Sequence, residues 1–280
     1  MKLRLLEAGS CLAPERVMRR DGRWARVRVP AGVALIEHPS EGVVLVDTGY
    51  APRSFDAARA RWDARVFARL IPPSVGPDTS AAGRLRVFGI APEAVAHIVV
   101  THFHADHAAG LRDFPNAAYH FLPDALGPVR RARIGERAAF PAAFLPDDFD
   151  RRARPIHARV LLPSALAPFA DGVAVLPGIV GVPLPGHAPG HLGVAFESDA
   201  GPVLIAADAA WHLDVVRDPR LMSGLGMLVQ HDRAAYRATL GHLHALSDRR
   251  PDLRIVLLHD ARSWLGACAE TRASFQIGTV

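Results

Sequence analysis

The chain has 280 residues, of which 50% are hydrophobic and 22% charged. That composition excludes a disordered chain, a collagen and a disulfide scaffold. The formal net charge is +5, but the positive residues are nearly all Arg and widely spread. The densest runs, Arg130–Arg133 and Arg151–Arg154, lie on either side of Asp147, Asp148 and Asp150, and no aromatic residues interleave with them. A stacking platform for nucleic acid is therefore not expected. Cys11 and Cys268 are too few for a zinc ribbon or a secreted staple framework and read as buried thiols.

In chain order, Leu3–Leu6 reads as a strand, and Val33–Glu37 and Gly42–Asp47 as two more joined by a turn through Pro39 and Ser40. Ser54 to Leu70 carries apolar residues at helical spacing, with Ser54 placed to cap it. Pro72, Pro73 and Pro77 break the chain before a helix over Ala81–Phe88 that ends at Gly89. Pro92 opens a turn of helix, and His97–Thr101 reads as a buried strand. From Leu122 to Leu166 the chain is irregular and rich in Pro, Arg and Asp, with Phe140, Phe144 and Phe149. It reads as an excursion over one face, either a substrate lid or a decorating helix pair. Its apolar residues are candidates for a homodimer contact.

Strand patterns resume at Val173–Leu176, Val182–Leu184, Val194–Glu197 and Val203–Ala207. A helix capped by Asp232 runs to about Leu246, Arg254–Leu258 is a last buried strand, and a C-terminal helix follows. Strands in both halves, with helices between and around them, suit two sheets packed face to face with helices outside. No linker divides residues 1–280, so one domain is expected. Met1–Glu7 has too short an apolar run for a secretory leader, and no stretch reaches the roughly 20 residues of a membrane span. A cytoplasmic protein with no membrane partner is the expectation.

The dense point for chemistry is Thr101-His102-Phe103-His104-Ala105-Asp106-His107, directly after the apolar Ile98-Val99-Val100. In an extended segment His102 and His104 point to one side, and Asp106 and His107 follow as the chain turns. Imidazole and carboxylate together suit a borderline divalent cation such as Zn²⁺. The segment alone cannot complete a two-metal site. His187 in Pro185-Gly186-His187-Ala188-Pro189-Gly190-His191, Asp208 after Val203–Ala207, and His259 after Ile255–Leu258 are the candidates at other strand ends. Singly, each reads as a helix cap or a structural residue. Beside the His/Asp cluster, each reads as a ligand.

The ordered set His102-x-His104-x-Asp106-His107, His187, Asp208 and His259, with the strand end Val46-Asp47-Thr48-Gly49, resembles the metallo-β-lactamase superfamily. The resemblance spans about residues 3–265. It implies an αββα sandwich of two mixed sheets with the metals at one edge. It further implies that His102, His104 and His187 hold one metal and Asp106, His107 and His259 the second. By the same resemblance, Asp208 would bridge them and a bridging hydroxide would attack the substrate. Zn²⁺ is the expected metal, with Mn²⁺, Co²⁺ and Fe²⁺ as alternatives. Two such cations about 3.5–4 Å apart lower the pKa of a shared water and polarise a carbonyl. Asp106 is then a candidate to take the proton. Asp47 and His191 are candidates to orient ligands.

Within the superfamily the chain most resembles the N-acyl-homoserine lactone lactonases. Ala8-Gly9-Ser10-Cys11, Gly42–Gly49, Ala207-Asp208-Ala209 and Leu258-His259-Asp260 carry that likeness. It implies hydrolysis of a lactone ring to the hydroxy acid. Two positions depart from the pattern. Trp211 stands where these lactonases commonly place a Tyr, and an indole N–H donates a hydrogen bond but cannot exchange a proton as a phenol does. Ala105 stands where some relatives carry an aromatic, which leaves room over the metals. Both are candidate substrate contacts. An aryl-ester, organophosphate or thioester hydrolase of the same fold is the alternative. A metal-dependent nuclease suits the basic charge, but the extra motifs of such enzymes are not evident.

Overall fold

The computed structural model describes residues 1–60, 62–131 and 142–264. The expected C-terminal helix, Cys268 and Phe140 lie outside these residues; a short 3₁₀ turn, Ala261–Trp264, follows the last strand. The strands in chain order are β1 (Lys2–Pro14), β2 (Arg26–His38), β3 (Gly42–Val46), β4 (Pro73–Ser74), β5 (Val95–Val99), β6 (Ala118–Phe121) and β7 (Ala153–Pro155). After them come β8 (Arg159–Leu161), β9 (Asp171–Leu176), β10 (Ile179–Pro183), β11 (Leu192–Ser198), β12 (Gly201–Ile205) and β13 (Arg254–Val256). Among the described residues they form two mixed sheets, ordered β4-β1-β2-β3-β5-β6-β7 and β13-β12-β11-β10-β9-β8.

The near-continuous apolar runs reflect strands buried on both faces. Ala34, Ile36, Val44, Val46 and Val99 turn inward and meet Ile179, Leu192, Val194, Val203, Ile205 and Val256 of the other sheet. Leu35, Leu45 and Ile98 take the opposite parity and pack under the helix Ala81–Val87. Leu204 and Ile255 likewise face the helix Arg233–Arg249, which presents Tyr236, Leu240, Leu243 and Leu246 at helical spacing. The layers are therefore helix, sheet, sheet, helix, as the sequence pattern anticipates. No helix among the described residues is long and apolar enough to cross a membrane.

Several elements differ from the sequence expectation. β1 runs to Pro14 because it pairs with β2 along its length, absorbing a register shift between Glu7 and Ser10. The expected helix from Ser54 to Leu70 is described as Arg53–Ala60 and Trp62–Leu70. Ser54 lies inside the first turn, where its Oγ accepts from the Ala51 N–H at 3.4 Å. The excursion from Leu122 contributes secondary structure to both sheets: β7 pairs with β6, and β8 pairs with β9. Its Phe144 and Phe149 are buried rather than offered to a partner, and Phe149 stacks on Tyr119 at 5.2 Å. Asp232 caps its helix as expected, accepting from the Ala234 and Ala235 N–H groups.

Candidate metal centre

β3 and β5 run parallel, as do β12 and β13, and β10 runs the same way as β12 because each is antiparallel to β11. The chain therefore leaves β5, β10, β12 and β13 at one edge of the sandwich, and the His/Asp residues follow those exits. His102 and His104 continue β5, while Asp106 and His107 sit on the one-turn helix Ala105–Ala108. His187 follows β10. Asp208 lies on a 3₁₀ turn, Ala207–Ala209, entered by a positive φ of 46° at Ala207, not directly at the strand end. His259 is three residues past β13.

Three groups of ligand atoms converge, each within 4.8 Å: His102, His104 and His187; His102, His107 and Asp208; and Asp106, His107 and His259. His102 Nε2 and His187 Nε2 stand 2.9 and 3.0 Å from His104 Nδ1. Asp208 touches both ends of the cluster. Its Oδ1 is 3.1 Å from His107 Nε2, and its Oδ2 is 3.3 Å from His187 Nε2 and 3.2 Å from His259 Nε2. His259 Nε2 is also 3.3 Å from Asp106 Oδ2.

The outer nitrogen of each Nε2-facing imidazole meets an acceptor. His107 Nδ1 donates to Asp47 Oδ2 at 2.7 Å, and His259 Nδ1 to the Pro30 carbonyl at 2.7 Å. His187 Nδ1 donates to Gln230 Oε1 at 2.9 Å. The Thr101 hydroxyl gives its proton to Asp47, so its oxygen accepts from His102 Nδ1 at 3.0 Å. With Nδ1 protonated, the second nitrogen of a neutral imidazole is a bare lone pair. The Nε2 atoms of these four imidazoles, His104 Nδ1 and two carboxylates thus face one another in a buried space, where each Nε2 is left to take a cation or, in its absence, a second proton. Asp208 Oδ1 is buried with no hydrogen-bond partner despite its closeness to His107. This donor set requires positive charge, and divalent cations of the N/O-binding kind fit it.

The same demand shows in the proton affinities. Burial alone would lower His107, but the carboxylates of Asp208, Asp47 and Asp106 outweigh it and push the pKa up to about 10. Burial is likewise outweighed at His259, which Asp208 and Asp106 hold well above the usual histidine value. Asp106 and Asp208 are held low by His107 and His259 despite burial. His104 instead goes down to about 3, through burial and then the neighbouring His187.

His191 stands apart from the cluster atoms. Its Nδ1 donates to the Leu184 carbonyl at 2.9 Å and its Nε2 accepts from the Asp208 N–H at 3.3 Å. Trp211 turns its indole N–H to Asp208 Oδ2 at 2.9 Å. Its ring packs beside an apolar group of Cys11, Ala13, Met18, Val29, Ala31 and Tyr50, and Ala105 lies against the same group. Sequence reasoning did not single out Gln230, Thr101 as a relay to Asp47, or Tyr50. Only Thr101, which heads the histidine cluster, carries a local signal.

Residues 28–250 match the metallo-beta-lactamase superfamily. The chain belongs to that superfamily. Among curated relatives, this metallo-β-lactamase-fold chain is 30% identical over 253 residues to a probable metallo-hydrolase of Mycobacterium tuberculosis, covering 82% of this chain and 76% of that one. It is 26% identical over 262 residues to the N-acyl homoserine lactonase AiiB of Agrobacterium fabrum, covering 89% and 86%. A solved N-acyl homoserine lactone hydrolase, with the product N-hexanoyl-L-homoserine at its catalytic metal centre, superposes with a TM-score of 0.73 at 21% identity, covering 95% and 96%. At that identity the likeness speaks for the fold. The superfamily membership and the His/Asp cluster make this chain a metallo-hydrolase.

Proposed function

We propose that this hydrolase is dinuclear and opens lactone rings of the N-acyl-homoserine lactone type. The observation that carries the metal centre is the inward turn of lone pairs and carboxylates from both sheets. His102, His104 and His187 would hold one divalent cation, Asp106, His107 and His259 the other, and Asp208 both. Zn²⁺ suits this donor set best, with Mn²⁺, Co²⁺ and Fe²⁺ as alternatives. When bound, such cations supply a water of lowered pKa and polarise the substrate carbonyl. The Asp106 side chain is 21% exposed against 4% for Asp208. Asp106 is therefore the carboxylate able to take a proton and return it to the leaving alkoxide. Cys11, Val29, Tyr50, Ala105 and the ring of Trp211 form an apolar wall beside it that accepts an acyl chain and keeps water from the reacting bond. The lactonases among the curated relatives support the choice of substrate.

A second reading, an aryl-ester, organophosphate or thioester hydrolase, is favoured by Trp211. Its N–H is engaged by Asp208, so it offers substrate an aromatic face and no hydroxyl. The test is proton release on mixing the metal-loaded protein with short- and long-chain N-acyl-homoserine lactones, a simple γ-lactone, an aryl ester and a phosphotriester. We expect the homoserine lactones to open fastest and Asp208→Ala to lose that turnover with at least one metal. Turnover of only the ester or phosphotriester would move the substrate class, and an Asp208→Ala variant with full activity and both metals would overturn the bridging role.

A further inference from the structure

Gln230 follows the short helix Gly224–Leu228 and is 5% exposed. Its Nε2 donates to the Gly226 carbonyl at 2.8 Å. A carbonyl only accepts, so this bond fixes which way the amide faces and leaves Oε1 toward His187 Nδ1 at 2.9 Å. An amide oxygen also only accepts, so His187 must carry its proton on Nδ1. Its Nε2 is then bare where it meets His104 Nδ1 at 3.0 Å and Asp208 Oδ2 at 3.3 Å.

We propose that Gln230 is the positioning residue that sets the tautomer and ring orientation of His187 and thereby presents its Nε2 to the cation shared with His102 and His104. The proposal rests on the metal-centre reading above and adds to it a residue outside the ligand set. Three features make Gln230 more than a filler at a helix end. The backbone it grips is itself wedged: a Cβ on Gly226 would lie 2.5 Å from the Val17 carbonyl oxygen and 3.2 Å from Trp211 Cζ3. The next residues hold the His187 loop by its backbone, with the His231 N–H on the His187 carbonyl at 3.2 Å and the Asp232 N–H on the Gly186 carbonyl at 2.9 Å. Trp211, on the far side of the wedge, donates to Asp208 Oδ2. One segment therefore steadies two of the residues that face the cluster. Gln230 is also uncharged. It fixes the tautomer without adding a further carboxylate to Asp47, Asp106 and Asp208, which leaves more net positive charge on a cation at His187 for polarising a substrate.

The test uses the full chain and two probes. Zn²⁺ alone is titrated against a chromophoric chelator, and the Co²⁺-loaded protein is examined for exchangeable, hyperfine-shifted imidazole N–H resonances by proton NMR. Gln230→Leu keeps the volume and removes both hydrogen bonds. We expect it to bind one Zn²⁺ about 10- to 100-fold more weakly, as loss of a ligand's outer partner does, with the other site unchanged. One N–H resonance should be lost to solvent exchange. Gln230→Glu, which keeps an acceptor toward His187, should retain that resonance, a recovery that a purely packing role would not give. If Gln230→Leu does not fold, Gln230→Asn, one methylene short of His187, carries the same expectation. Two Zn²⁺ bound as tightly as in the wild type, with every N–H resonance in place, would overturn the role of Gln230 and leave the metal centre standing. A wild-type chain that binds no Zn²⁺ would overturn both.

Discussion

Asp106 and Asp208 carry the same side chain into different surroundings, and the proposed mechanism uses that difference to separate their tasks. Asp208 is sealed among three imidazoles and an indole N–H, so its charge is fixed. The Asp106 side chain is the more exposed of the two, which in the proposed mechanism suits it to exchange a proton. The seven-residue constellation was legible because His102, His104, Asp106 and His107 crowd into six positions. The residues that orient the imidazoles were mostly not legible, because a Gln at 230 or a carbonyl at Pro30 has no spacing to betray it. A second histidine pair lies outside the cluster. His97 Nδ1 and His120 Nε2 are 3.0 Å apart, and burial, then His97 and Arg154, lowers the His120 pKa to about 4 from its ordinary 6.5. Below pH 6.5 the unfolded chain binds a proton that the folded chain refuses, so stability falls with pH down to about 4. His120 then accounts for a loss of about 3 kcal/mol. Urea unfolding of wild type and His120→Gln across pH 4–7 checks this. The variant should show a shallower slope, and identical slopes would remove His120 from the account.

Elements carry the site only as well as their ends are fixed. Gly186 precedes His187 with φ at +127°, and a Cβ there would lie 2.3 Å from Tyr236 Cα and N in the helix Arg233–Arg249. Both atoms are backbone, so an added methyl must push the loop or the helix aside. Gly186→Ala should therefore destabilise the chain by about 1–3 kcal/mol by overpacking, with the strained φ adding to it. It should also loosen the His187 contacts. Urea unfolding measures the first effect and Zn²⁺ titration the second, and an unchanged midpoint would mean that the loop yields freely. The sequence singled out His187 in Pro185-Gly186-His187 as a ligand but did not anticipate this turn. β7 and β8 were missed as well. Ala153–Pro155 and Arg159–Leu161 are three-residue edge strands with Arg and Pro among them. They form because β6 and β9 offer unpaired backbone, not because their own side chains alternate. The central strands were legible because an apolar run buried on both faces signals itself.

At the scale of the whole molecule, the candidate metal centre joins the two sheets. His102 to His107 leave the first sheet, and His187, Asp208 and His259 leave the second. The sheets do not depend on that junction alone. Ile36, Val44 and Val46 already meet Ile179, Val194 and Ile205 across the sandwich, and burying a side chain of this kind contributes about 1.5–3 kcal/mol each. The chain should therefore stay folded when a chelator strips its cations, while losing the share that binding adds. A cation present at about a hundred times its Kd stabilises the native state by about 2.7 kcal/mol per site. For a chain of this size that corresponds to roughly 5 °C in Tm per site, or about 10 °C for both. We expect chelation to lower Tm by about that amount, added Zn²⁺ to restore it in proportion to the logarithm of its concentration, and Asp208→Ala to lose most of the response. Complete unfolding on chelation would mean that the inter-sheet core cannot hold the sandwich without the centre. A Tm indifferent to both chelator and Zn²⁺ would mean that the inward-turned lone pairs hold no cation at all, and the hydrolytic reading would fall with them.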